Sequence, residues 1–174
     1  RSNFAKEVLL VPFEISPGVI IPPGKYSFKD HGIEFQTAAH REYSANFTYI
    51  WGSLYNGDLD RYFGKVAWKP SPKFNTTFSY DIRYVDLPQG KFTTRLITAG
   101  IDFVFSSKLS WINLIQYDNV SEVMSINMRL HWVPEEGQEF FFVINQIMED
   151  QDQDNNFHSA FTEFTSKISY TFRY

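Results

Sequence analysis

The chain has 174 residues, a formal net charge of −4 and no cysteine, which excludes disulfides, thiolate metal sites and cysteine nucleophiles. It carries no basic stripe for nucleic acid, and no stretch approaches the ~20 consecutive apolar residues of a membrane helix. Aromatic residues make up 18% of the chain, yet mean hydropathy is only −0.30, so the rings are interleaved with polar residues.

Turn chemistry recurs at short, even intervals: "SPG" and "PPGK" within 16–25, "YNGDLD" at 55–60, "KPSPK" at 69–73, "DLPQGK" at 86–91. It continues with "SSK" at 106–108, "DNVS" at 118–121, "PEEG" at 134–137 and the acidic "EDQDQDNN" at 149–156. Evenly spaced runs of Phe, Tyr, Thr, Ile and Val between such turns predict an all-β, antiparallel chain. Ten strands are expected, at 4–14, 25–37, 42–55, 60–69, 73–85, 91–105, 108–117, 121–133, 138–148 and 158–174. Helical periodicity, an internal repeat and a domain boundary are all absent from the pattern.

The first strand, "FAKEVLLVPFEI", alternates poorly. Later ones alternate cleanly. Residues 43–55 place Tyr43, Ala45, Phe47, Tyr49, Trp51 and Tyr55 opposite Ser44, Asn46, Thr48 and Gly52. Residues 74–84 place Phe74, Phe78, Tyr80, Ile82 and Tyr84 opposite Asn75, Thr77, Ser79, Asp81 and Arg83. Residues 124–132 place Met124, Ile126, Met128, Leu130 and Trp132 opposite Ser125, Asn127, Arg129 and His131. Three segments fit less well: 91–105, where Arg95 falls on the apolar side, 108–117, where Asn113 does, and 138–148. The last strand sets Phe164, Ser166, Ile168, Tyr170, Phe172 and Tyr174 against Glu163, Thr165, Lys167, Ser169, Thr171 and Arg173.

Apolar faces of this depth, with aromatic ends, suit strands that cross a membrane, which need about 9–11 residues. A soluble barrel also alternates, with the aromatics turned inward around an apolar small molecule. The charged, small-polar opposite faces favour a transmembrane β-barrel with a wet lumen. On that reading Phe47, Tyr49, Trp51, Phe78, Tyr80, Trp132, Tyr170 and Phe172 face lipid, and Asp81, Arg83, Arg129, Glu163, Lys167 and Arg173 line the lumen. Those six charges have a cationic surplus, so a conducting barrel is expected to prefer anions mildly. The alternating last strand, finishing on a terminal aromatic, resembles that of bacterial outer-membrane barrels, which ends at the periplasm. The resemblance implies that the turns near 38–41, 69–73, 106–108 and 134–137 face the periplasm and the others face outside.

No catalytic or metal site emerges. His31, His40, His131 and His158 sit on separate segments without ligand spacing. Ser125 and His131 share a face but lie about 20 Å apart along a strand, too far for proton transfer. No cofactor is implied, and the acidic loop lacks the glycine and glutamate positions of a calcium loop.

Four stretches carry a family resemblance: "PFEISPGVIIPPGKYSF" (12–28), the segment from "SLYNGDLDRYFGK" to "DLPQGKF" (53–92), "IQYDNVSEVMSINMRLHWVPEEGQEFFFVIN" (115–145) and "SKISYTFRY" (166–174). They resemble the C-terminal barrel of a largely uncharacterised group of bacterial outer-membrane proteins, common among Bacteroidota, in which a module similar to family-9 carbohydrate-binding domains precedes the barrel. The resemblance implies that residues 1–174 are the C-terminal portion of a larger outer-membrane β-barrel, with the binding module upstream. It implies outer-membrane lipid and the barrel assembly machinery as partners, the latter through the terminal signature Tyr170, Phe172 and Tyr174. It brings no catalytic residues, and no residue here matches the sugar-binding module.

Overall fold

The computed structural model describes residues 1–150 and 156–171. All regular structure among them is β: β1 (Ser2–Leu9), β2 (Phe13–Ser16), β3 (Val19–Ile21), β4 (Gly24–Gln36), β5 (Tyr43–Leu54) and β6 (Gly57–Ser71) make up the first half. The second half contains β7 (Phe74–Leu87), β8 (Gly90–Ser106), β9 (Leu109–Asp118), β10 (Val123–Trp132), β11 (Gln138–Glu149) and β12 (His158–Tyr170). Ten of these form one sheet in the order β1-β4-β5-β6-β7-β8-β9-β10-β11-β12, and β2 and β3 form a separate hairpin. Every pairing is antiparallel, each strand beside its neighbour in sequence once the hairpin is passed over. Among the described residues β1 pairs only with β4 and β12 only with β11, so these two are the sheet's edges.

The ten expected strands correspond one to one with the ten of the large sheet, with shifted ends. Several turns are tighter than expected, because the strands run on into them: β6 starts at Gly57 and ends at Ser71, and β7 continues to Leu87. Tyr55 takes φ 52°, the left-handed conformation that lets the β5–β6 connection close in two residues. The one substantive correction concerns the first strand. It stops at Leu9, and Phe13–Ser16, expected as its continuation, instead turns back on Val19–Ile21. Pro12 cannot donate to a ladder, which helps end the strand there.

Antiparallel register assigns each strand's faces, since directly paired residues lie on the same side. One side carries Phe47 of β5, Gly64 and Val66 of β6, Phe78 and Tyr80 of β7, and Ile97 and Ala99 of β8. It continues through Ile115 of β9, Ile126 and Met128 of β10, Ile144 of β11 and Phe164 of β12. The four alternating faces legible in the sequence therefore join into a single apolar face. The exception is Tyr55, expected on it, which turns inward from the β5–β6 connection against Tyr26 and Phe28.

The opposite side is concave. Its buried cluster consists of Val19, Ile21, Val85 and Leu87, with Leu9, Tyr26, Leu54, Leu59 and Phe92 packed against it. These residues come from the hairpin and from β1, β4, β5, β6, β7 and β8, all on one face by register. In a flat sheet β1 and β8 would lie about 24 Å apart, five spacings of ~4.8 Å. One small cluster can gather side chains from all of them only if the sheet curls around it.

Close strand approach makes two glycines sensitive. A Cβ at Gly52 would lie 2.1 Å from the Lys29 carbonyl oxygen, and one at Gly57 would lie 2.0 Å from that of Asp86. Both contacts are with neighbouring backbone, which cannot step aside without breaking the ladder. Gly57→Ala is expected to destabilise the fold by about 1–3 kcal/mol, as overpacking does. Urea titration of the folded protein in lipid vesicles reads this as a lower midpoint.

Candidate functional site

The chemistry of this chain is distributed over two faces rather than gathered in a pocket. On the apolar face two chains of aromatic contacts cross the strands. Near one rim, Tyr43 stacks on Trp68 with ring centres 6.1 Å apart, Trp68 meets Phe74 at 5.6 Å, Phe74 meets Phe103 at 5.1 Å, and Phe103 meets Trp111 at 6.0 Å. Toward the other rim, Trp51 stacks on Tyr49 at 5.0 Å, Tyr49 on Tyr62 at 4.6 Å, and Tyr62 meets Tyr84 edge-on at 6.2 Å. Small and aliphatic side chains (Ala45, Val66, Ala99, Ile115) lie between them.

Along β5, Tyr43 and Trp51 are about 26 Å apart at ~3.3 Å per residue. For a strand tilted by ~40° this is about 20 Å along the normal, near the ~25 Å apolar band between aromatic girdles of outer-membrane barrels. All four tryptophans of the chain, Trp51, Trp68, Trp111 and Trp132, lie on this face. Phe47, Trp51, Phe78, Trp132 and Tyr170 are exposed, Phe78 at 48%, while Tyr49 and Tyr80 are half-buried by their neighbours.

The two polar residues that interrupted the sequence pattern are accommodated. Asn113 donates from Nδ2 to the Ile101 carbonyl at 3.1 Å, so its amide is satisfied by the adjacent strand. Arg95 lies where β8 outruns β9: the first paired residue is Leu96, facing Asp118, and the next connection begins at Asn119. The Asn119 side chain and backbone bond to Arg95 backbone atoms, placing Arg95 beside a turn, at the edge of the band.

The concave face is hydrogen-bonded laterally, strand to strand. Asn46 donates to Glu34 at 2.6 Å between β5 and β4, and Asn75 donates to Asp102 at 2.9 Å between β7 and β8. Asn127 donates to Asn145, and Asn145 donates on to Glu163 at 3.2 Å, tying β10, β11 and β12 together.

Its centre is an ion cluster on β6 and β7. Register sets Arg61 directly opposite Arg83, a like-charge pair that would be destabilising alone. Asp81, only 8% exposed, resolves the conflict. It accepts a two-pronged contact from Arg61, 2.9 Å from Nε and 2.6 Å from Nη2, and a second contact from Arg83 Nη2 at 3.2 Å.

Of the six charges singled out in the sequence, Asp81, Arg83, Arg129, Glu163 and Lys167 share the concave face, and Arg173 lies outside the described residues. Only Asp81 and Arg83 are brought together. Arg129 and Lys167 are exposed and make no ion pair among the described residues. Arg61 was missed because it fell at the edge of the expected strand 60–69, where its face was ambiguous. Register also adds Arg61 and Lys65 on the cationic side and Glu7, Asp30, Glu34, Asp102, Asp118, Glu139 and Glu149 on the anionic side. With these included, the concave face has no cationic surplus among the described residues.

Phe172 and Tyr174, two of the three terminal-signature residues, lie outside the described residues. Tyr170 closes β12 on the apolar face, opposite Gln138.

This is a curved antiparallel β-meander with an aromatic-banded outer face and a hydrogen-bonded inner one. No protein-family model matches the chain, and no curated protein matches it significantly. Two solved structures are similar to it, one described as KdgM porin and the other as KdgM porin in complex with disordered oligogalacturonate. Each is 10% identical and is matched over 99% of this chain and 91% of the porin chain, with TM-scores of 0.42 and 0.41. At that level of likeness no residue role passes from the porin to this chain.

Proposed function

We propose that this chain forms wall of a bacterial outer-membrane β-barrel that serves as a pore or membrane anchor. The observation that carries the reading is the division of one continuous sheet. Between its aromatic rows the convex face is exposed and apolar, with charges (Lys25, Lys29, Asp58, Asp60, Asp86, Lys91, Arg95) at or beyond one row. The concave face holds the Arg61–Asp81–Arg83 cluster and the asparagine–carboxylate hydrogen bonds. Lipid would satisfy the first and water the second; the strands from β4 to β11 are paired on both sides within the sheet, and the β1 and β12 edges would find their partners in a larger barrel. Phe47, Tyr49, Trp51, Phe78, Tyr80, Trp132, Tyr170 and Phe172 would face lipid, and Asp81, Arg83, Arg129, Glu163, Lys167 and Arg173 the lumen. The C-terminal strand would be what the assembly machinery recognises. An upstream module that captures glycans would give the barrel a part in their display or uptake.

The soluble alternative places the aromatics around an apolar ligand inside the curve. It fits poorly, because the inside of the curve is where the Arg61–Asp81–Arg83 cluster and the asparagine ladder lie. Expression with an outer-membrane targeting signal, followed by fractionation and detergent extraction, decides between them. The proposal expects the folded protein in the outer-membrane fraction, released only by detergent. Folded protein that stays monomeric and dispersed without detergent would contradict it.

A further inference from the structure

We infer that the β2–β3 hairpin is an in-folded constriction that sets the size limit at one mouth of the concave channel. This rests on the pore reading and goes beyond it by assigning the narrowing to particular residues. The hairpin is the only element among the described residues outside the large sheet, and it is seated on the sheet's inner face. Ile21 is 0% exposed, and Val19 beside it is 7% exposed. Both pack on Val85 and Leu87 of β7.

The seat is specific on each side. Gly18, at φ 77°, closes the turn and donates its N–H to the Glu14 carboxylate at 2.8 Å. On the exit side, the Tyr26 hydroxyl donates to the Pro22 carbonyl at 2.7 Å. Tyr55 then braces Tyr26 and Phe28 edge-on, at 5.1 and 5.2 Å. Burial pushes the Tyr55 hydroxyl's pKa up, with the nearby Glu7 carboxylate adding to the effect, so it stays protonated. At the far side, a Cβ on Gly90 would approach Val19 Cγ2 to 2.9 Å, so hairpin and β7–β8 turn are in contact.

The cluster that seats the hairpin draws on β1 and β4 through β8 and on none of β9 to β12. Among the described residues the narrowing is therefore one-sided, with the passage running along β9 to β12, past Asp118 and Glu149 at this rim. The next layers on β7 beneath Val85 are Arg83 and Asp81, at steps of about 7 Å. A solute entering here would pass the hairpin first and then meet the ion cluster.

The test uses single-channel recording of the full-length protein in planar bilayers, with neutral polymers of graded size. Ile21→Asp should unseat the hairpin and give several-fold higher conductance with admission of larger polymers. Adding Val19→Cys and Gly90→Cys supplies the control for folding, read against the same cysteine pair without Ile21→Asp because Gly90, at φ 156°, is strained by any side chain. A Cβ at Gly90 lies 3.9 Å from that of Val19, within the ~3.5–4.5 Å range of disulfides, and the chain has no other cysteine to compete. Oxidation of this triple variant should return the parent conductance and polymer limit, and reduction should restore the enlarged ones. An enlarged state indifferent to oxidation, or equal conductance in the parent and Ile21→Asp, would overturn the inference, as would insertion of both proteins without current. Failure of the membrane reading itself would appear differently, as folded protein that never enters the bilayer and needs no detergent.

Discussion

Phe78→Lys should destabilise the folded protein in lipid bilayers by about 2–4 kcal/mol, while Ser79→Lys, one residue along, should change stability little. The first value is that of a lysine on the lipid face of a barrel near the bilayer midplane. Phe78 lies between Val66 and Ala99 in the middle of the apolar band, and its side chain is 48% exposed, so little packing energy is lost with the ring. Ser79 stands between Lys65 and Thr98 on the concave face, where a second ammonium reaches water and the like charge of Lys65 opposite costs at most about 1 kcal/mol. Reversible unfolding in urea from lipid vesicles measures both. Equal costs would mean that the faces do not differ in solvent, and a larger cost at Ser79 would mean they are reversed.

Asp81→Ala is expected to cost about 3 kcal/mol, the low end of the range for removing one partner from a buried ion pair. The low end applies because the arginines are partly hydrated, with side-chain exposures of 32% for Arg61 and 48% for Arg83. What remains is two guanidinium groups directly across a strand pair with no carboxylate between them. Removing one of those charges should recover part of the loss, so Asp81→Ala combined with Arg61→Gln should be less damaging than the sum of the two changes. A double-mutant cycle gives the coupling directly. Strict additivity would show that the cluster contributes nothing as a unit.

How far the sequence revealed this depended on whether each strand has two different solvents on its sides. β5, β7, β10 and β12 do, and their faces could be read residue by residue. β9 and β11 were harder, because register puts Ile112 and Leu114, and Phe141, Val143 and Ile147, on the concave side as well. A strand apolar on both faces has no alternation to detect. Arg95 looked like a violation because strand length is hidden from local patterning: it became explicable only once β8 was seen to outrun β9. The hairpin was hidden for another reason. "PFEISPGVII" contains turn residues and short apolar runs, and nothing local shows that Val19 and Ile21 find their partners more than sixty residues away on β7. Arg61 shows the same limit for the site. Its importance comes from lying opposite Arg83 and diagonal to Asp81, a relation that register creates.

The central claim is that the aromatic-banded convex face meets lipid, and the four tryptophans test it most directly because all of them lie on that face. The measurement is tryptophan fluorescence of the folded protein in vesicles whose lipids are brominated at graded depths, with aqueous acrylamide as the counter-probe. The account predicts strong quenching by the brominated lipids, greatest for bromine near the interface, and weak quenching by acrylamide. Tryptophans indifferent to bromine at every depth but freely quenched by acrylamide would contradict it.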